Sequence, residues 1–334
     1  MYKYINNEKD LEEVGEKIKE GKIVIFPTET VYAIGTNGLD ANAVKKLYDI
    51  KKRDYKNPIN LLVNNINMIE KITQNITELE YKLMEKFFPG PFTIILNKKD
   101  IVPDIVTAGK NKVGVRVPDN KIALEIISNA GVPISAPSAN ISGRPSGTNF
   151  DDIKLDFVED IDYIVDGGEC KIGLESTIVE VIDNVVHILR PGAVTYDDIL
   201  KITPNIKKDY EQNNKLLPSQ KLKHYSLNCE SVLIYGNDNK KVISKINDEI
   251  KKYNNAVVFC LEEDVNKIDS KNVISMGTKE NLEEISKNLF KNLRKINQLN
   301  PEMVLIKGIE ERGLAVAIMN RLKNVCKDNV VEVK

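Results

Sequence analysis

The chain has 334 residues, enough for two domains and for a core that needs neither disulfide nor metal to hold it. Apolar residues make up 42% and charged residues 29%, a globular balance that excludes a disordered chain and a membrane-spanning one. With 48 basic and 49 acidic side chains the net charge is -1, so no overall field would hold the chain on a polyanion, and stable nucleic-acid binding is not expected.

Leu11, Val14 and Ile18 recur at helical spacing before Gly21, and Lys22 to Phe26 then reads as a buried strand broken by Pro27. Asp40 can cap a helix carrying Val44, Leu47 and Tyr48, after which residues 51–57 form a basic loop and Ile59 to Val63 a strand. Thr77 with Glu80 is a capping-box signature for a helix ending near Phe87. Strands follow at Phe92 to Leu96 and Val113 to Val117, then a helix capped by Asp119, and Pro133 to Ala136 leads into a polar loop through Thr148. Ile161 to Val165, Ser176 to Val181 and Val186 to Leu189 are further strands, the last two joined by an Asp183-Asn184 turn. This defines one mixed α/β domain over residues 5–203.

Residues 204–229 lose the period and read as a long Asn- and Lys-rich linker. Residues 230–334 alternate strands at Ser231 to Tyr235, Ala256 to Cys260, Asn272 to Met276 and Met303 to Ile306 with helices around Lys240, at Leu282 to Ile296 and at Leu314 to Leu322. That alternation predicts a smaller α/β domain with a largely parallel, Rossmann-like sheet, without the Gly-x-Gly-x-x-Gly of a dinucleotide site. The four cysteines are far apart and the only histidines are His187 and His224, so no metal site is expected from spacing. The thiols read as reduced, and the polar N-terminus with no long apolar run predicts a cytoplasmic protein without a membrane span.

The residues able to do chemistry gather in the first domain. Lys51, Lys52 and Arg53 either face the phosphates of a nucleotide or form a solvated loop complementing a helix dipole. The loop from Ser135 to Thr148 offers hydroxyls and an amide between small residues, which suits close backbone approach to a ligand and equally suits a capped turn. Arg116 and Arg190 each end an apolar strand just before a proline, the end where α/β sheets place ligands; a guanidinium there fits a carboxylate or phosphate, or a structural ion pair. The hydroxyls of Pro27-Thr28-Glu29-Thr30-Val31-Tyr32 and Glu175-Ser176-Thr177 can orient a ligand or cap a strand end. No P-loop, kinase set or His-rich motif is present. What remains is positioning and charge neutralisation, suited to attack of a carboxylate on the α-phosphate of ATP, with Arg, Lys and magnesium stabilising phosphoryl charge.

In order and spacing, Phe26-Pro27-Thr28-Glu29-Thr30-Val31-Tyr32, Lys51-Lys52-Arg53 with Asn57-Pro58, Phe88-Pro89-Gly90-Pro91-Phe92-Thr93, Val115-Arg116-Val117-Pro118, Ala136-Pro137-Ser138-Ala139-Asn140, Glu175-Ser176-Thr177-Ile178 and Leu189-Arg190-Pro191-Gly192 resemble the threonylcarbamoyl-AMP synthase family, the YrdC-like proteins, in its long two-domain form. The resemblance implies a twisted open mixed sheet with a concave site. It also implies a nucleotidyltransferase reaction in which L-threonine, bicarbonate and ATP give threonylcarbamoyl-AMP and pyrophosphate, with a separate transferase passing the group to tRNA. Carried over by position, Thr30, Arg116, Ala136 and Ser176 would contact threonine; Arg53, Asn57, Ser138, Ser146 and Arg190 would hold ATP, joined by Tyr225. Lys51 and Arg53 would be catalytic, Lys51 facing the phosphates, with Mg2+ accompanying ATP. His224-Tyr225 matches a motif that would make the linker a lid. Leu62 departs from a histidine common near threonine, Lys112 from a threonine near the nucleotide, and Pro218-Ser219-Gln220-Lys221-Leu222 and Ser226-Leu227 from the usual linker pattern. Two competing readings are an RNA-binding module and a carbamoyl-adenylating domain of hydrogenase maturation; the second carries Cys-x-x-Cys zinc fingers that this sequence lacks.

Overall fold

A computed structural model describes residues 3–5, 7, 10–157, 161–211, 225–327 and 329–334. The chain falls into two compact units, Met1–Ser142 with Ser146–Leu222, and Gly143–Pro145 with Lys223–Lys334.

The first unit carries strands β1 (Lys3–Ile5), β2 (Val24–Phe26), β3 (Ala33–Asn37), β4 (Leu61–Leu62), β5 (Thr73–Gln74), β6 (Phe92–Lys98), β7 (Lys112–Arg116), β8 (Ile134–Ser135), β9 (Tyr163–Val165), β10 (Thr177–Ile182), β11 (Val185–Arg190) and β12 (Ile206–Lys208). Their order across the sheet is β1-β9-β2-β3-β8-β4-β7-β6-β10-β11-β12, with β5 paired to β6. Parallel and antiparallel pairs alternate irregularly, so the sheet is mixed, as expected. Helices α1 (Leu11–Lys19), α2 (Ala41–Lys51), α3 (Ile66–Ile72), α4 (Glu78–Phe87), α5 (Asp104–Thr107), α6 (Lys121–Ala130), α7 (Phe150–Asp156) and α8 (Tyr196–Leu200) connect them.

Local sequence explains most of these elements. The stripe Leu11, Val14 and Ile18 is buried, and α1 packs on α6 so closely that a Cβ on Gly15 would stand 2.5 Å from Asn129 Cβ. The Asp40 carboxylate accepts from the backbone N–H groups of Asn42 and Ala43, and Thr77 with Glu80 forms the full capping box of α4. The cap of α6 is Asn120 rather than Asp119, because the Asn120 side chain is the one that accepts from Ala123 N. Asp183 and Asn184 both take positive φ, the twist that joins β10 and β11 tightly.

Two departures bear on the site. The segment after Phe26, read as a polar break, returns at once as β3, whose Ala-Ile-Gly-Thr-Asn sequence is covered on both faces and so lacks the alternation that marks a half-buried strand. β12 pairs in parallel with β11, so the first sheet continues past Thr203 into the stretch read as linker. That linker's central part, residues 212–224, lies outside the described residues.

The second unit has β13 (Glu230–Gly236), β14 (Ala256–Cys260), β15 (Val273–Ser275), β16 (Met303–Lys307) and β17 (Val330–Val333), ordered β15-β14-β16-β13-β17 with every pair parallel. Helices α9 (Asn239–Ile250), α10 (Leu282–Gln298) and α11 (Leu314–Cys326) alternate with them. The expected parallel sheet is therefore present, with one strand, β17, beyond those read from the sequence. Across the chain Cys170, Cys260 and Cys326 are buried free thiols and Cys229 is half-buried. No described helix is long and apolar enough to cross a membrane.

At the carboxyl ends of β14 and β16, Asp264 takes hydrogen bonds from Asn239 and Lys267, and its other oxygen is 3.0 Å from the buried Lys307 ammonium. Burial pushes the Asp264 carboxyl up, but the bonds from Lys267, Asn239 and Lys307 outweigh it and leave the carboxyl lowered from 3.8 to about 2. A folded value below the unfolded one contributes stability that is fully present above pH 3.8 and is lost as pH falls through about 2. The expected size is about 2 kcal/mol. Asp264→Asn should lower the urea midpoint at pH 7, and the gap to the wild type should shrink as both are titrated from pH 4 towards pH 2.

Candidate active site

The site is built where β2, β7 and β11 end and β6 and β10 begin. The chain leaves β2 at Phe26 into Pro27–Tyr32, and this turn is held from inside: Thr28 Oγ1 donates to Val31 O at 2.7 Å and lies 2.9 Å from Thr30 Oγ1. Two backbone bonds, Ile172 N to Glu29 O and Gly173 N to Thr30 O, fix it against the loop before β10. Arg116, the last residue of β7 and 7% exposed, reaches this turn. Its Nε donates to Gly90 O at 3.2 Å, its Nη1 to Thr30 Oγ1 at 2.9 Å, and its Nη2 is 2.6 Å from Glu29 Oε1. Two of the five N–H groups of the guanidinium fork are thus in hydrogen bonds, and Nη2 is in the ion pair.

Two strands away in the same sheet, Ser176 stands just ahead of β10. Its hydroxyl is 2.7 Å from Thr93 Oγ1 on β6 and accepts from Arg190 Nη2 at 3.1 Å, while Arg190 Nε donates to Ser176 O at 3.0 Å. Arg190 ends β11, and the turn after it passes so near that a Cβ on Gly192 would sit 2.4 Å from Thr177 N; only glycine lets β11 return this closely. The neighbouring Glu175 accepts from the Ser146 hydroxyl at 2.7 Å, both side chains being buried. Gly90-Pro91 joins the two arginines, since Gly90 O receives Arg116 and Pro91 O receives Thr177 N.

The third part of the site is the polar loop after β8. Ser138 bridges to Ala33, Ala139 N donates to Tyr32 O, and Tyr32 N donates to Gly147 O, so both ends of the loop lie along Tyr32 and Ala33. Ala136 N donates to Asn60 O, and Ser138 Oγ to Asn140 Oδ1 at 2.6 Å. Lys51 ends α2 and is 2% exposed, which rules out a solvated loop. Its ammonium donates to Ser138 O and Asn140 O, each at 2.5 Å. Two of the three ammonium donors of Lys51, the residue expected to face the phosphates, thus hold the backbone of the loop. Burial, with Arg53 adding to it, holds this ammonium well below the usual lysine value. Arg53 is lowered by burial as well; its Nε donates to Asn57 O and its Nη2 to Pro58 O, and Asn57, 1% exposed, keeps its Nδ2 without a hydrogen-bond partner.

The first unit therefore brings Thr30 to Arg116, Ser176 to Arg190, Ser146 to Glu175, and Ser138 to Lys51. Tyr225 belongs to the second unit, where its ring stacks on Phe290 with centroids 4.9 Å apart; His224 lies outside the described residues. Leu62 is buried and in register with Arg116, and Lys112 forms an ion pair with Glu180. Sequence reasoning left out Glu29 and Thr93. Glu29 stands between Thr28 and Thr30 just after a buried strand, and a lone acid between threonines is a signal for a partner arginine. Thr93, between Phe92 and Ile94 on a buried strand, was legible as a polar residue with no reason to be there. Among the described residues no group of three or more His, Cys, Asp or Glu side chains could hold a metal ion.

A mixed α/β unit whose strand ends present two arginines among hydroxyls, followed by a small parallel α/β unit, defines a YrdC-like enzyme of the two-domain kind. The Sua5/YciO/YrdC family model, described as telomere recombination, matches residues 16–192, and the model of the threonylcarbamoyl-AMP synthase C-terminal domain matches residues 180–324. A threonylcarbamoyl-AMP synthase of Pyrococcus abyssi is 36% identical over 95% of this chain and 94% of its own length, and one of Bacillus subtilis is 33% identical over 97% and 95%. The crystal structure of P. abyssi Sua5 complexed with L-threonine superimposes with a TM-score of 0.92 at 34% identity, covering 100% of both chains. The chain belongs to the threonylcarbamoyl-AMP synthase family.

Proposed function

We propose that the chain is an L-threonylcarbamoyladenylate synthase, a nucleotidyltransferase that makes threonylcarbamoyl-AMP and pyrophosphate from L-threonine, bicarbonate and ATP for modification of tRNA. The observation that carries this reading is Arg116: buried at the end of β7, held by Gly90, Thr30 and Glu29, with N–H groups beyond its two hydrogen bonds that suit a carboxylate. Thr30 gives it a hydroxyl at 2.9 Å, and Ser176 and Ala136 are the other residues assigned to threonine. The threonine ammonium first gives up a proton to solvent, and the free amine then attacks bicarbonate, forming the carbamate and releasing water. A carbamate oxygen then attacks the α-phosphorus of ATP, and pyrophosphate leaves.

Arg190, Arg53, Asn57, Ser138 and Ser146 are the residues assigned to ATP, where guanidinium charge opposes the charge that develops on the phosphoryl oxygens. Lys51 serves this group by holding the Ser138–Asn140 backbone. Glu29 is paired with Arg116 and Glu175 accepts from Ser146, and among the described residues the side chains form no metal cage of their own; Mg2+ would be carried by the nucleotide phosphates, whose charge it reduces. The RNA-binding alternative gains nothing from a net charge of -1. A downstream transferase that consumes the mixed anhydride is part of the proposal.

The test is pyrophosphate release from ATP with the adduct followed by mass spectrometry. Release should require threonine and bicarbonate together. Release that continues without threonine, or that no amino acid elicits, contradicts the reading.

A further inference from the structure

Both carboxylate oxygens of Glu29 and the Nη2 of Arg116 are buried without a hydrogen-bond partner, although Nη2 is only 2.6 Å from Oε1. Glu29 is 3% exposed. Buried polar atoms are seldom left in this state, and an ion pair held by proximity alone is poorly repaid for losing water. The pair matters through its charge: it is neutral as a whole. A carboxylate arriving on the remaining N–H groups of Arg116 would bring three charges summing to one negative charge into a place with little water. A ligand that carries its own cation one carbon from its carboxylate keeps the sum at zero.

Among the groups around the pair is the buried Asp152 carboxylate, which acts, as the pair does, on the Cys170 thiol and accepts from Thr148 N and Oγ1. The Cys170 thiol, which feels both charges, is pushed by burial up to about 12 and stays neutral at pH 7. The hydroxyls of Thr28 and Thr30, which complete the turn, carry no charge. We infer that Glu29 is a specificity-determining residue: it sets the Arg116 site to take an α-amino acid as its zwitterion and to refuse the same acid without its amino group. This deepens the proposed function and rests on Arg116 being the carboxylate site.

The experiment is calorimetric binding of L-threonine and of 3-hydroxybutanoate, which is threonine without its amino group, to the full chain. Wild type, Glu29→Gln and Glu29→Asp are compared, each checked for a cooperative melt. Wild type should prefer threonine strongly. Glu29→Gln should cut the ratio of the two affinities by on the order of 100-fold, the effect of one unit charge about 5 Å away at an effective dielectric near 20, by weakening threonine and tightening 3-hydroxybutanoate. Glu29→Asp, which keeps the charge, should retain the preference. An unchanged ratio in Glu29→Gln, or equal weakening of both ligands, overturns the inference, because equal weakening means that only Arg116 was displaced. Should Glu29→Gln not fold, wild type alone decides: 3-hydroxybutanoate binding within about tenfold of threonine overturns it. A wild type that binds no threonine refutes the proposed function instead.

Discussion

Lys51→Met should lower pyrophosphate formation more than about 100-fold while changing thermal stability little near neutral pH. The side chain fills the same space, so packing around α2 survives. What disappears is the ammonium that bonds Ser138 O and Asn140 O, and with it the reason those two carbonyls turn towards α2. Leaving each buried carbonyl without a donor costs about 1–3 kcal/mol, and removing a fully buried charge offsets much of that. The two contributions separate with pH. Burial holds the Lys51 ammonium below its ordinary 10.5, so in the window between its folded value and 10.5 the unfolded chain binds more protons. Stability then rises with pH through that window. Wild type should gain on Lys51→Met as pH is raised towards 10.5 in denaturant titrations. A phosphate-contacting lysine exposed to ligand would show the activity loss without this slope.

The turn chemistry was the most legible layer of the fold. Asp40, Thr77 with Glu80, and Asp183-Asn184 act through atoms within a few residues, so their effect is written locally. Strands such as Ala33–Asn37 and Ile206–Lys208 were not legible, because the first is buried on both faces and the second exists only by pairing with β11. For the candidate site, a residue type at a strand end was readable but its partner was not. Arg116 and Arg190 could be placed beside proline, yet nothing local says that one meets Glu29 and Thr30 while the other meets Ser176, 14 residues before it in the chain. Lys51 shows the limit most clearly. A basic run reads as solvent or phosphate, and only the packed loop after β8 turns it into a backbone clamp.

Arg116→Lys should raise the threonine KM by on the order of 100-fold, with the ATP KM at saturating threonine moving only a few-fold. Lysine keeps the positive charge opposite Glu29, so the buried carboxylate is not abandoned and the protein should fold. It cannot keep the fork: one ammonium has three donors on a single atom, whereas Arg116 spreads its donors over three nitrogens that reach Gly90 O, Thr30 Oγ1 and Glu29. Loss of a paired, charge-assisted contact to a carboxylate fits a cost of about 3 kcal/mol, which is the factor expected in KM. Arg190→Lys is the matched control, since its guanidinium is fixed by the backbone and hydroxyl of Ser176 and is assigned to the nucleotide. Its change should fall on the ATP KM. Steady-state pyrophosphate release with each substrate varied separately reads both, and an Arg116→Lys effect confined to ATP would mean that the two arginines exchange their assigned ligands.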